Sequence, residues 1–227
     1  MARPFVLLSA AMSVDGCIDD TAPEPLLLSD AADLDRVDEV RAGVDAILVG
    51  ATTVRRDNPR LLVRSAERRA ARAAAGLPTD PMKVTITASG HLDATARFFT
   101  TGDGEKLVYA GTGAVEKARA AIGAAATVVD AGAPIDLPRL LADLRERGVE
   151  RLMVEGGSAV HTMFLTAGLA DELHLVVAPF FVGDAAAPRF VGPGRFPQDA
   201  AHRMRLAEAR PIGDLVLLRY APGPVGE

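Results

Sequence analysis

The chain has 227 residues, with 25 Lys and Arg against 30 Asp and Glu, and a formal net charge of −5. This mild acidity and the scatter of the basic residues speak against a nucleic-acid surface. A lone cysteine, Cys17, excludes an intrachain disulfide, and no apolar run reaches the length of a membrane span.

In chain order, the apolar run Phe5–Met12 predicts a strand buried on both faces and ended by Ser13-Val14-Asp15-Gly16. It is too short for the apolar region of a secretion signal, so a cytoplasmic protein is expected. An irregular stretch with Pro23 and Pro25 leads to Ser29, the expected cap of a helix with Asp30 and Asp33 in its first turn. Leu34, Val37 and Val40 share one face, and Gly43 stops the helix. Ala46–Val49 is a second strand, ended by Gly50, and Ala51–Arg56 a single helical turn broken before Pro59. Leu61–Val63 is short and extended. Ser65–Ala75 is an exposed helix, with Arg64–Arg72 as a solvated face.

Strands follow at Val84–Thr87 and Leu107–Ala110, a helix at Ala114–Ile122 and a strand at Thr127–Val129. Asp136 caps a helix with the stripe Leu137, Leu140, Leu141 and Leu144, ended by Gly148. Arg151–Val154 is a strand that ends at Glu155-Gly156-Gly157. Ser158 is the expected cap of a helix with Val160, Met163, Phe164 and Ala167 inward, and Gly168 its left-handed terminator. Leu173–Ala178 is a strand, and Met204–Ala209 pairs with Leu215–Tyr220 around Gly213. Strand–helix alternation followed by a hairpin predicts an α/β protein with a mostly parallel sheet and an antiparallel C-terminal edge. No linker-like stretch divides the chain, so residues 1–227 are expected to form a single domain.

The strand ends carry the chemistry. Glu155-Gly156-Gly157 before a helix suits a phosphate, because outward amides, a positive dipole end and glycine all favour close approach. The same pattern also makes an ordinary tight turn. Glu155 adds a carboxylate where open α/β sheets bind ligands. Ser13–Gly16, Gly50–Arg64 and the turn after Thr87 are expected on the same rim. The Gly50–Arg64 stretch gathers hydroxyls and arginines beside Asp57, as a binding loop or as a solvated one. Arg41 ends a helix, where a cation also suits the dipole. His161 and His174 suit packing or the surface. The four histidines show no ligand spacing, so no metal is expected. Neither a nucleophile elbow nor the G-x-G-x-x-G fingerprint is present.

Taken together, Met12-Ser13-Val14-Asp15-Gly16, Arg41-Ala42 with Asp45–Gly50, Thr53-Val54 with Asp57-Asn58-Pro59, Leu61–Arg64, Ser89-Gly90, Val154–Gly157, Ala167–Leu169 and Asp171–Leu173 resemble one family. It is the reductase domain of riboflavin biosynthesis, which has a three-layer α-β-α dihydrofolate reductase-like fold. The resemblance implies NADPH-dependent reduction of a ribosylaminopyrimidine 5′-phosphate to its ribityl form by a homodimer. By matching motif it implies Arg41, Leu61, Arg64 and Glu155 as substrate contacts. It implies Ala11, Thr53, Asp57, Ser89 and the turn Gly156, Gly157, Ser158, Ala159 and Val160 on the cofactor side, continuing to Met163. Asp57 is the candidate proton donor. The chain departs from the family at Ser9, Cys17, Glu24–Leu28 and His91, which leaves a pterin, folate or other pathway-specific substrate as the alternative, and a non-catalytic dinucleotide-binding module as a third reading. The zinc-deaminase signature is absent.

Overall fold

The computed structural model describes residues 2–223. In chain order the strands and α-helices are β1 (Phe5–Ser13), α1 (Ala31–Ala42), β2 (Ala46–Gly50), α2 (Ala51–Asp57), α3 (Ala66–Ala74), β3 (Met82–Thr87), α4 (Arg97–Thr100), β4 (Lys106–Ala110) and α5 (Val115–Ile122). Then follow β5 (Thr127–Asp130), α6 (Leu137–Glu146), β6 (Arg151–Gly156), α7 (Ser158–Thr166), β7 (Glu172–Ala178), β8 (Arg205–Ile212) and β9 (Leu215–Ala221). The sheet is mixed, mostly parallel, with antiparallel C-terminal strands. Two compact units emerge, one built on Val37–Met153 and one on Phe5–Arg36 with Val154 onward.

In the first unit the strand order is β5-β4-β3-β2-β6, and β2 to β5 pair in parallel. The register sets Gly50 against Ile86 and Thr87 against Ala110, so the loops after β2 and β3 leave by the same edge. Ile47, Leu48, Val84, Leu107 and Val108 are fully buried, and α6 presents its predicted stripe of Leu137, Leu140, Leu141 and Leu144. Asp136 caps α6 by accepting from the Arg139 amide at 3.0 Å.

Two features of this unit escape pattern reading. Helix α4 is one turn long, with no periodicity to detect. It is anchored by Phe98 and Phe99, packed edge to face at 4.8 Å, and by Lys83, whose Nζ donates to Phe98 O at 3.3 Å and Thr101 O at 2.7 Å. Burial pushes the Lys83 ammonium down to about 8. Second, the expected solvated face of Arg64–Arg72 contains a buried member. Arg72 donates to the carbonyls of Pro78, Ala42 and Val44, each at 2.8 Å, and staples α3 to the neighbouring loops. A guanidinium with fixed carbonyl partners can be buried where an unpaired one cannot.

In the second unit the order is β6-β1-β7-β9-β8. β1 and β7 are parallel, with Ser13 opposite Ala178, while β9 runs antiparallel to both β7 and β8. The hairpin turns at Gly213, whose φ of +57° favours glycine. Leu28, Val176, Ala178, Ile212, Leu215 and Leu217 form a buried cluster.

Helix α1 differs from expectation in its cap and its buried face. Asp30, not Ser29, caps it, accepting from the Asp33 amide at 2.8 Å; the Ser29 hydroxyl donates to Asp33 instead. Leu34, Val37 and Val40 are only half-buried, whereas Asp33, Arg36 and Asp38 are buried. Polar partners explain this. Arg36 pairs with Asp33 at 2.7 Å and lies 3.4 Å from His174 Nδ1, and His174 Nε2 lies 3.1 Å from Glu172. Arginine can only donate, so His174 accepts at Nδ1 and donates its Nε2–H to Glu172. Burial lowers the His174 pKa and favours this neutral form.

Candidate active site

The candidate residues fall into two groups, one in each unit. In the first unit, α2 carries Thr53, half-buried, and Asp57, exposed at its last position. Asn58 caps α2 in the left-handed region with φ 44° and ψ 54°, and its side chain accepts from the Arg97 amide at 2.6 Å. Leu61, almost wholly buried, also has a positive φ of 50°, an uncommon conformation for a residue with a side chain. The expected extended segment Leu61–Val63 pairs with no strand. Ionised side chains satisfy its backbone instead. Arg41 donates to Leu62 O at 3.3 Å, and Asp80 accepts from Val63 N at 2.9 Å. Asp38 accepts from the amides of Arg64 and Ser65. Arg41, Leu61 and Arg64 are thereby brought to one structure, with the Arg64 side chain exposed.

Ser89 is exposed on the turn after β3. Gly90, at φ +68°, packs that turn against the start of α5, where a Cβ would lie 2.7 Å from Ala114 O. The Arg55 guanidinium bridges α2 to this turn, donating to His91 O at 2.8 Å and Thr52 Oγ1 at 3.0 Å. Lys117 of α5 approaches the His91 ring. Arg55 and Lys117 therefore bring two cationic side chains to His91, beside Ser89. Sequence reasoning missed Lys117, because only the Gly90 packing brings α5 to that turn.

In the second unit, β6 extends two residues beyond expectation, so Glu155 and Gly156 are still strand. Gly157, at φ +83°, is the N-cap of α7, and Ser158 is already helical. The Ser158 hydroxyl, expected to cap, donates to Arg189 O instead. No side chain caps α7, and its first-turn amides suit an anion. Ala159 is exposed, while Val160 turns into the core.

The inward stripe of α7 is rotated from the predicted one. His161 and Leu165 are buried, whereas Met163 is half-buried and Ala167 exposed. His161 packs its ring on Phe190 at 5.1 Å, and burial pushes its pKa down to about 4. A Cβ on Gly156 would lie 3.3 Å from His161 Nε2, so that glycine serves packing, and Gly157 is the one that opens the helix end.

Ala11 is half-buried in β1, opposite Val176. At the end of β1, Asp15 accepts from Ser13 Oγ at 2.5 Å, Val182 N at 3.1 Å and Gly183 N at 2.8 Å. The Ser13 hydrogen bond first, then these two amides, hold its carboxyl down at about 2. The Asp15-Gly16 turn thus anchors the loop after β7.

Comparison with known proteins shows the family. The family model described as the RibD C-terminal domain matches residues 4–218. A 2,5-diamino-6-ribosylamino-4(3H)-pyrimidinone 5′-phosphate reductase of Archaeoglobus fulgidus is 35% identical over 82% of this chain and 85% of its own length. The enzyme of that name from Methanothermobacter thermautotrophicus is 35% identical over 96% of this chain and 98% of its own. Among solved structures, a diaminohydroxyphosphoribosylaminopyrimidine deaminase/5-amino-6-(5-phosphoribosylamino)uracil reductase from Thermotoga maritima superposes with a TM-score of 0.78 at 24% identity. That match covers 97% of this chain and 57% of the other, and it supports the fold. No described helix is long and apolar enough to cross a membrane. The chain is a pyrimidine reductase of the RibD C-terminal domain family.

Proposed function

We propose that this protein uses NADPH to reduce 2,5-diamino-6-ribosylamino-4(3H)-pyrimidinone 5′-phosphate to its ribitylamino form in riboflavin biosynthesis. The carrying observation is 35% identity over 96% of the chain to a reductase of that compound. When bound, the nicotinamide supplies the hydride. The chain's own residues bind, orient and protonate. On the substrate side are Arg41, Leu61, Arg64 and Glu155, with the arginines suited to a phosphate. On the cofactor side are Ala11, Thr53, Asp57, Ser89 and Gly156–Val160. The uncapped start of α7 fits a pyrophosphate. The test is NADPH consumption with this pyrimidine, with its deaminated analogue and with dihydrofolate. Preferred turnover of dihydrofolate would reassign the enzyme.

NADPH is expected to be preferred over NADH, because Arg55 and Lys117 place two cationic side chains at His91, beside Ser89, where they suit a ribose 2′-phosphate. One charge-assisted contact contributes about 1.5–3 kcal/mol. Lys117→Ala is therefore expected to lower kcat/KM for NADPH by roughly ten- to a hundredfold and leave that for NADH unchanged. Equal losses with both cofactors would place the 2′-phosphate elsewhere.

The protein is expected to be a homodimer. On one face of the C-terminal strands, Val216 lies between Val177 and Pro211, and Leu218 between Leu175 and Ala209. Val216 is 41% exposed and Leu206, opposite Tyr220, is 51% exposed, so this apolar face gains by being covered. Light scattering at micromolar concentration should give the dimer mass; a monomer would remove the assignment.

A further inference from the structure

The polypeptide between α2 and α3 poses an accounting problem. Leu61–Ser65 belongs to no strand or helix, yet Leu61 and Val63 are buried. Buried backbone amides without a ladder need partners. Asp38 supplies two. Its Oδ1 accepts from Arg64 N, and its Oδ2 accepts from Ser65 N at 3.1 Å and from Arg68 Nη1 at 3.0 Å. Asp38 is 3% exposed, and the amides of Arg64 and Ser65 followed by Arg68 outweigh its burial and lower its pKa. The carboxylate is held ionised, with one oxygen committed to each of two consecutive amides.

This geometry divides the work between two arginines. Arg68 is the counter-ion of Asp38. Arg64 gives Asp38 only its backbone amide. Its side chain is exposed and makes no hydrogen bond or ion pair among the described residues. The charge of Arg64 is thus left for an outside anion, while its backbone amide is held by Asp38. One turn further along α1, Arg41 holds Leu62 O.

We propose that Asp38 is a positioning residue for substrate-phosphate recognition: by holding the consecutive amides of Arg64 and Ser65 it aims the Arg64 guanidinium at the phosphate. This rests on the reading of Arg64 as a phosphate contact. Asparagine at position 38 is close in shape, but its amide group would face a backbone N–H where an oxygen now accepts, and it removes the charge that Arg68 pairs with. The segment then shifts, and misplacement of a binding group by about 1 Å can cost up to about a hundredfold.

The test is a steady-state cycle of Asp38→Asn, Arg64→Ala and the double variant, with NADPH dissociation measured separately. Asp38→Asn should raise KM for the phosphorylated pyrimidine by about fivefold or more, with kcat and NADPH affinity unchanged. In the Arg64→Ala background Asp38→Asn should add nothing further, since the guanidinium it aims is already gone. A merely structural role would add its loss to that of Arg64→Ala and lower kcat and NADPH binding as well, and that result overturns the proposal. An unchanged KM in Asp38→Asn beside a raised KM in Arg64→Ala also overturns it while leaving the phosphate contact standing. An unchanged KM in Arg64→Ala overturns the underlying reading itself. Should Asp38→Asn fail to fold, the same cycle is read with Asp38→Glu, which keeps the charge but displaces the oxygens.

Discussion

Asp57→Asn is expected to lower kcat by roughly 10²–10⁴-fold, the usual contribution of a placed general acid, while the protein melts as the wild type does. Opening the ribose ring breaks the bond between C1′ and the ring oxygen. C1′ then takes a hydride and the oxygen takes a proton. Asp57 is the carboxyl group offered for that proton. It is the last residue of α2, and the left-handed Asn58 turns the chain away directly after it, leaving Asp57 exposed. An exposed side chain whose helix is capped by the next residue contributes only about 0.5 kcal/mol to stability. An unchanged kcat in the variant would move the proton source to another group or to water.

Arg64→Ala is expected to raise KM for the phosphorylated substrate by about ten- to a hundredfold, from the roughly 1.5–3 kcal/mol of one charge-assisted contact. The backbone amide survives the substitution, so the hydrogen bond to Asp38 remains and only the guanidinium is removed. Stability should shift by no more than about 0.5 kcal/mol, as at other exposed positions. NADPH binding should be unchanged, and a dephosphorylated substrate should be equally poor with wild type and variant. Full activity of Arg64→Ala on the phosphorylated compound would make this arginine an ordinary surface residue.

Where local chemistry decides an element, the sequence discloses it. The Asp136 cap, the leucine stripe of α6, the Gly213 hairpin and the strands from Ala46 to Asp130 all follow from capping, periodicity and turn residues. Several of the failures share one cause: the deciding partner lies far along the chain. Helix α1 buries Arg36 and Asp38 rather than its apolar stripe, because their partners are at His174, Arg64 and Arg68. Arg72 is buried because two distant carbonyls, those of Ala42 and Val44, meet it together with that of Pro78. Ser158 looks like a cap, but Arg189 O takes its hydroxyl. In the candidate site, the glycine turn and the Thr53–Arg64 stretch were legible from spacing and resemblance. The support around them was not. Asp38, Asp80 and Lys117 contact their targets from 26, 17 and 26 residues away.

The most direct test of the proposed reaction is to follow the transferred hydride. The protein is incubated with the phosphorylated diaminopyrimidine and NADPH carrying deuterium at the transferable position of the nicotinamide, and the product is examined by mass spectrometry. A single deuterium is expected at C1′ of the ribityl chain and none on the pyrimidine ring. Label on the ring, or label transferred only to a pterin or folate offered in the same mixture, would contradict it.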